Sequence, residues 1–507
     1  MTGGPSRLTR GSAGGFSVPA PARPGILHLG LGNFHRAHQA VYTAAALAQD
    51  GGDWGVVGVA SRSRAVVDAL RAQDLLYTVA QISPAEFSLS LPGVHTDAFV
   101  AADQPDRVVA QLADPAIRIV TLTVTENGYS TAAGTGRLDL DDRRVAADLA
   151  GGAPRTTIGQ LARGLQRRAS GGGAPLTVLS CDNLAANGER TAHLVREFLG
   201  ALPGSEAEEA LAYLDRAVAF PSSMVDRIVP ATTDLLRDDV AARLGLRDEA
   251  TVPAEPFTMW AIEDAFAAGR PAWEAGGAVF TDEVDRFELM KVRLLNGTHS
   301  LIAYLGALSG ESLIAASVAR AEIERAARAV IGREYGPSVQ LPEGIDGQEY
   351  EQQLFQRWGN SALGHRTAQV GTDGSVKLRQ RIPGPVIQAL GEGRFPHLIA
   401  LCVAGYLACV APLPGFEPGP EARAMADAAR DGLSLLAASA RNGQDLAHRV
   451  IVEKQLFGAE LAARQDFADR VGELIDTIRC HGVAAAIQEA LDASDAEPAE
   501  PRKEQVR

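Results

Sequence analysis

The segment Glu288-Leu-Met-Lys291-Val-Arg-Leu-Leu-Asn296-Gly-Thr-His299 sets an amine, an amide and an imidazole among apolar residues. Leu289, Met290, Leu294 and Leu295 recur at helical spacing, which predicts a helix. At about 100° per residue, Asn296 lies roughly 140° and His299 roughly 80° around from Lys291, so the three can project into one cleft, the long lysine covering the remaining gap. An amine in a water-poor cleft gives up its proton more readily than in water, so such a lysine can take a proton from a hydroxyl group and return it. Buried amphipathic contacts would account for one such residue; three on one apolar helix point to chemistry. Glu288, one turn earlier, either exchanges the lysine's proton with solvent or forms a surface i,i+3 pair with it.

A second constellation opens the chain's first apolar run. Gly25-Ile-Leu-His-Leu-Gly30 breaks into Gly30-Leu31-Gly32 and then into a helix-like segment through Ala48: a strand, a tight turn and a helix. This is the opening of a dinucleotide-binding turn, whose glycines let backbone approach a pyrophosphate at a helix N-terminus. The third glycine of the usual fingerprint is replaced by His35, and the turn continues Asn33-Phe34-His35-Arg36-Ala37-His38. Two histidines and an arginine in a first turn are costly to bury, so solvated charge is an equal reading of them. No acidic residue follows the second strand; Ala60-Ser61-Arg62-Ser63-Arg64 stands there instead. Arg62 could grip a 2'-phosphate or be plain surface charge, which leaves NADP open beside NAD. Ser180-Cys181-Asp182-Asn183 ends another apolar strand, where polar residues either face a ligand crevice or cap the next helix.

The elements that must position these residues are strands at 25–30, 54–59, 117–124 and 176–180, separated by helical stretches. The expected class is α/β: a doubly wound parallel sheet with helices on both faces, followed from about Phe287 by a mainly helical part. Helices are predicted at 398–410, 421–438 and 467–481, with a Pro/Gly loop at 411–420. The expected division is a flexible tail at 1–24, a dinucleotide-binding domain at 25–285, a helical catalytic and substrate domain at 286–493, and a frayed tail at 494–507.

Across 507 residues, 48 Lys+Arg against 62 Asp+Glu give a net charge of −14, which repels phosphate backbones and anionic lipid. Nucleic acid and membrane partners are therefore not expected, and the apolar run 398–413, broken by Gly405 and Pro412, is too short to span a bilayer. The four cysteines lack CxxC spacing, so neither a zinc ribbon nor a disulfide framework is expected, and a reducing cytoplasm is the simplest home. The first 24 residues lack the continuous apolar core of a secretory signal.

In order along the chain, Gly30-Leu-Gly-Asn-Phe-His-Arg-Ala-His38, Thr125-Glu-Asn-Gly-Tyr129, Ser180-Cys-Asp-Asn183, Met224-Val-Asp-Arg227, Glu255-Pro-Phe257 and Lys291 to His299 resemble the polyol-specific long-chain dehydrogenases, the mannitol dehydrogenase family. The resemblance implies a Rossmann-like N-terminal domain and metal-independent hydride transfer between NAD(P) and a secondary alcohol carbon. It implies Lys291 as general acid/base, Asn296 and Asn183 as donors to the developing alkoxide, and His299 as the residue orienting a hydroxyl. Asp226 and Lys377 would hold the rest of a linear substrate, and Gly30, Gly32, Asn33, Phe34, Arg36 and Glu126 would bind the cofactor.

Within the family, Phe220 to Asp226, Asn360 to Thr367 and Asp373 to Arg381 are similar to the fructuronate reductase (D-mannonate oxidoreductase) branch. A sugar acid is thus the implied substrate, with mannitol 2-dehydrogenase chemistry on a neutral polyol as the second reading. A dinucleotide-binding module without turnover is the reading from a different class. Asn127 stands where that branch carries Lys and mannitol dehydrogenases carry Gly, and Gln369 stands where mannitol dehydrogenases carry an arginine. Arg366 either pairs bidentately with the uronate carboxylate or is ordinary helix surface charge. The resemblance also implies a monomer.

Overall fold

The computed structural model describes residues 5–16, 18–132 and 135–496, and the chain divides into two compact units, Met1–Asp285 and Arg286–Arg507. In the first unit six strands form one parallel sheet: β1 (Pro24–Leu29), β2 (Gly55–Ala60), β3 (His95–Val100), β4 (Ile119–Leu122), β5 (Leu176–Ser180) and β6 (Val218–Ala219). Their order is β3-β2-β1-β4-β5-β6. The order reverses between β1 and β4, the place where doubly wound sheets bind ligands.

The apolar runs explain why these segments are strands. Every residue of β2, β4 and β5 is buried, as fits a sheet covered on both faces. Alternate residues serve opposite layers: Leu27, Leu29, Val57 and Val59 join one core cluster, whereas Ile26, Val56 and Ala60 join the other. Two accessory three-stranded sheets, built from Val252–Ala254, Val79–Ile82 and Phe87–Ser90 and from Val279–Phe280, Met259–Ile262 and Ser223–Asp226, were not expected from the sequence. Their strands are too short to show a period.

The N-terminal stretch, expected as a flexible tail, is packed over its described part. Leu8 and Ala13 are buried in a small cluster with Leu76 and Leu91, and Leu8 N–H donates to Arg247 O at 2.9 Å. Gly, Pro and Ser conceal these few apolar anchors in the sequence. At the other end, the helix Val483–Ala496 runs past residue 493, and the rest of the expected tail lies outside the described residues.

A column of imidazoles fills the space under the first turn. His28 on β1 stacks on His35 with ring centroids 3.4 Å apart, and His35 Nε2 lies 3.1 Å from His95 Nε2. Burial is the main force pushing all three below the ordinary 6.5, His28 and His95 to about 3. Folded values below the unfolded value mean that the neutral imidazoles contribute stability fully present above pH 6.5 and lost as pH falls towards 3. The expected loss at pH 5 is roughly 2 kcal/mol for each of His28 and His95. Thermal melts at pH 7 and pH 5 should show it, and His35→Phe, which keeps a stacked ring, should flatten the dependence; an equal slope in both proteins would refute it.

The second unit is helical throughout its described elements. His397–Val410 is its central helix, buried at every position from Leu398 to Val410, and it packs against Thr298–Leu308 and Gln465–His481. Pro396 at its N-cap offers no side-chain acceptor, and the buried Glu334 supplies one from another segment, accepting Leu398 N–H at 2.8 Å and Ile399 N–H at 2.7 Å. The stretch predicted as one helix at 421–438 is two, Pro420–Arg423 and Arg430–Ser439. Arg430 bridges the break, donating to Ala422 O at 3.2 Å and to Met425 O at 2.5 Å. Among the described residues no helix is long and apolar enough to cross a membrane.

Candidate functional site

The carboxyl ends of β1, β4 and β5 carry the first group of candidate residues. Gly30 has φ +112°, and a Cβ there would stand 2.2 Å from Thr123 O, so the close pass of β1 and β4 requires glycine. Thr123 Oγ1 donates to Gly30 O at 2.8 Å, which locks the turn to the end of β4. Gly32 is different: its backbone is exposed, and the nearest protein atom to an added Cβ would be Gly30 O at 3.6 Å. Asn33 and Phe34, half-buried, begin the short helix Asn33–Ala37.

The third fingerprint glycine serves close helix-on-strand packing. Here His35 meets that need with a flat ring laid on His28. The reading of this turn as solvated charge is overturned, because His35, Arg36 and His38 are 1%, 4% and 0% exposed. Arg36 turns inward, its guanidinium donating to Gly32 O at 3.2 Å, to Asn33 Oδ1 at 2.6 Å and to Ala250 O. It shapes the glycine turn from behind. His38 breaks the helix and bonds Met259 O at 2.9 Å, with Phe34 stacked on its ring.

Arg62 is exposed just past the end of β2, while Arg64 pairs with Asp103 at 2.7 Å. Glu126 opens the short 3₁₀ helix Glu126–Tyr129; its side chain, like that of Asn127, lies outside the described residues. Tyr129, from the same motif, donates to the Asp182 carboxylate, which also accepts from Ser180 Oγ at 2.6 Å and from Leu184 N–H at 3.1 Å. The next helix starts only at Asn187, so Asp182 is not its cap; it ties the end of β4 to the end of β5. Burial raises the pKa of Asp182, with the hydroxyls of Ser180 and Tyr129 opposing. Asn183 follows, exposed, at the strand end.

Asp226, 5% exposed, closes the strand Ser223–Asp226 opposite Met259. The neighbouring Arg227 donates to Glu255 O at 3.0 Å and to Ala37 O, and Ile228 N–H donates to Glu255 Oε1 at 2.6 Å. The motifs Met224–Arg227 and Glu255–Phe257 are thereby fastened to the end of the glycine-turn helix. Sequence reading passed over Tyr129, Asp182 and Arg227 as functional supports, although each sits inside a quoted motif.

In the second unit the helical segments Val284–Met290 and Thr298–Leu308 are joined by a π-helix, Lys291–Gly297. This corrects the angles expected for an α-helix. With i→i+5 hydrogen bonding, residue i+5 comes round nearly one turn later, so Asn296 is carried back towards the face of Lys291. Lys291 is 8% exposed and Asn296 half-buried. Asn296 O accepts from Ser300 Oγ at 3.0 Å and from Arg381 Nη1 at 3.1 Å. Glu288 is half-buried one turn before Lys291.

His299 is 8% exposed, and its Nε2 is buried with no hydrogen-bond partner. Its ring lies 5.1 Å from that of His365 and 6.1 Å from that of Trp358. Burial first, then His365 and the charges of Arg381, Arg357 and Lys377, hold its pKa well below 6.5, so the ring is neutral. Lys377 donates to Val370 O at 3.3 Å from the helix Gly374–Arg381.

Arg366, read as a carboxylate anchor or as surface charge, stands apart from this cluster. It is bridged in extended conformation to Leu313, so adjacent side chains point to opposite sides. His365 faces His299, whereas the Arg366 side chain is 60% exposed and meets Glu421 at 3.5 Å. Among the described residues no group of three His, Cys, Asp or Glu could hold a metal ion.

Two family profiles match the chain: residues 24–275 fit "Mannitol dehydrogenase Rossmann domain" and residues 283–479 fit "Mannitol dehydrogenase C-terminal domain". The chain is 40% identical over 387 residues to D-mannonate oxidoreductase of Escherichia coli (strain K12), covering 75% of this chain and 79% of that protein. The solved ternary complex of Pseudomonas fluorescens mannitol 2-dehydrogenase with NAD and D-mannitol superposes with a TM-score of 0.84 at 31% identity, covering 96% of this chain and 99% of that one. D-sorbitol dehydrogenase in substrate-free form superposes with a TM-score of 0.80 at 29% identity, over 95% and 100% of the two chains.

Proposed function

The chain belongs to the mannitol dehydrogenase family of oxidoreductases, and we propose that it interconverts a secondary alcohol and a ketone on a linear sugar acid, D-mannonate and D-fructuronate, with NAD. The observation that carries this reading is the π-helix that joins a buried Lys291 to Asn296 and His299 on one continuous helical run.

NAD, when bound, supplies or accepts the hydride. The exposed backbone at Gly32, with Gly30, Asn33, Phe34, Glu126 and Arg62, would hold it, Arg36 acting by shaping the turn. The fit rests on the open space above Gly32 at the sheet's switch point. Burial favours the neutral form of an amine, so Lys291 can accept the hydroxyl proton during oxidation, and its ammonium can donate that proton during reduction. Glu288 exchanges the proton with solvent. The amide N–H groups of Asn296 and Asn183 donate to the developing alkoxide, each contributing roughly 2.7–4 kcal/mol to its stabilisation. The neutral His299 orients a hydroxyl with its unpartnered Nε2, while Asp226 and Lys377 hold the remaining substrate polar groups. The reading carries with it a soluble cytoplasmic monomer, in keeping with the net charge of −14.

A second reading, oxidation of D-mannitol to D-fructose, is favoured by the close superposition on mannitol 2-dehydrogenase. Initial rates of NADH and NADPH oxidation with fructuronate, fructose, tagaturonate and xylulose decide between them. The expected result is NADH-dependent reduction of fructuronate with kcat/KM at least roughly tenfold above fructose, a difference worth about 1.4 kcal/mol. A preference for fructose would install the neutral-polyol reading, and no turnover of any of the four would leave only a dinucleotide-binding module.

A further inference from the structure

Asn296 stands next to last in the π-helix Lys291–Gly297, and two side chains hold its backbone carbonyl. Ser300 Oγ donates to Asn296 O at 3.0 Å, while Arg381 Nη1 lies 3.1 Å from the same oxygen and 2.7 Å from Ser300 Oγ. A guanidinium has only protons to give, so Ser300 accepts from Arg381 and spends its own proton on Asn296 O. The three groups close a triangle in which one cation polarises the hydroxyl that it binds. Ser300 is 1% exposed, so water does not compete for its bonds.

Arg381 ends the helix Gly374–Arg381, and the other end of that helix is fixed on the same helical run as Asn296. A Cβ at Gly374 would stand 2.5 Å from Tyr304 Oη, so this end passes close against the helix Thr298–Leu308. Tyr304 Oη also donates to Gly371 O at 3.3 Å. π-Helical turns are rare and short, and a serine bonded back to the carbonyl four residues earlier tends to bend a helix. The junction where Lys291–Gly297 gives way to Thr298–Leu308 therefore gains from support outside its own backbone. We propose that Arg381 is a positioning residue, which braces the backbone of Asn296 and thereby fixes the direction of its amide towards the developing alkoxide. This rests on the oxidoreductase reading above, in which Asn296 is an alkoxide donor.

The test is a double-mutant cycle on kcat, with NADH and whichever of fructuronate and fructose the wild type reduces faster, using Arg381→Gln, Asn296→Ala and the two together. A displacement of about 1 Å at a catalytic donor costs roughly 100-fold, so Arg381→Gln should lower kcat roughly 10- to 100-fold on its own, and by less than about twofold once Asn296 is alanine. Loss of general structural support would instead multiply, so the same factor in both backgrounds overturns the brace and leaves the function standing. An unchanged kcat in folded Arg381→Gln also overturns it. Ser300→Ala, which removes the middle of the triangle, should show the same dependence on Asn296 with a smaller factor. It decides the matter should melts show that Arg381→Gln does not fold. Wild-type kcat in Asn296→Ala would remove the donor itself, and with it the reading on which the brace depends.

Discussion

Replacing Lys291 by alanine should lower kcat for reduction of the preferred ketose by roughly 10²–10⁴-fold, the range that a positioned general acid or base supplies. Affinity for NADH, read by fluorescence titration, should change by less than about twofold, because the proposed dinucleotide residues, Gly30 to Phe34 with Arg62 and Glu126, belong to the first unit. Lys291 is 8% exposed on a helix whose neighbours Met290, Leu294 and Leu295 are buried, so truncation also leaves a small void. A melt separates that stability cost from the chemical one. Near-normal turnover in a folded Lys291→Ala protein would remove lysine from its role.

Gly297→Ala is expected to be nearly as damaging, against the rule for helices. Inside a helix this change ordinarily gains about 1 kcal/mol from propensity. Here the new Cβ would stand 2.5 Å from Tyr335 Cζ and 2.7 Å from its Oη. Tyr335 is fully buried at the end of its own π-helical segment, Val330–Tyr335, and has no room to withdraw. Overpacking of this kind costs typically 1–3 kcal/mol, so the melting temperature should fall by several degrees. Gly297 follows Asn296 directly, and a displacement of about 1 Å at a catalytic donor costs roughly 10²-fold in rate. Adding Tyr335→Leu should recover part of the melting temperature. Wild-type stability and rate in Gly297→Ala would mean that the helix does not pack against Tyr335 as described.

Much of the first unit was legible in the sequence, and the reason is local. β1, β2, β4 and β5 are apolar runs buried on both faces, so composition alone marks them. β3, with the sequence His-Thr-Asp-Ala-Phe-Val, carries polar residues that mask it, and the two residues of β6 are too few to read. The Gly30 turn was legible because a close strand crossing demands glycine; the burial of His35, Arg36 and His38 was not. Their partners His95, Ala250 and Met259 arrive from far along the chain.

By itself the sequence determined the chemistry available: an amine, amides and imidazoles at fixed spacing, a glycine turn after a strand, and an α/β part followed by helices. Those properties follow from residue type and short-range periodicity. Only the tertiary structure decided which side chains face one another. The π-helix at Lys291–Gly297 has no signature in apolar spacing, since Leu289, Met290, Leu294 and Leu295 recur as in an ordinary helix. Arg366 faces solvent because its segment is bridged to Leu313, a residue far away in the chain. Long-range pairing turned one side chain outward to Glu421 and its neighbour inward to His299, an outcome that a local pattern of residue types does not encode.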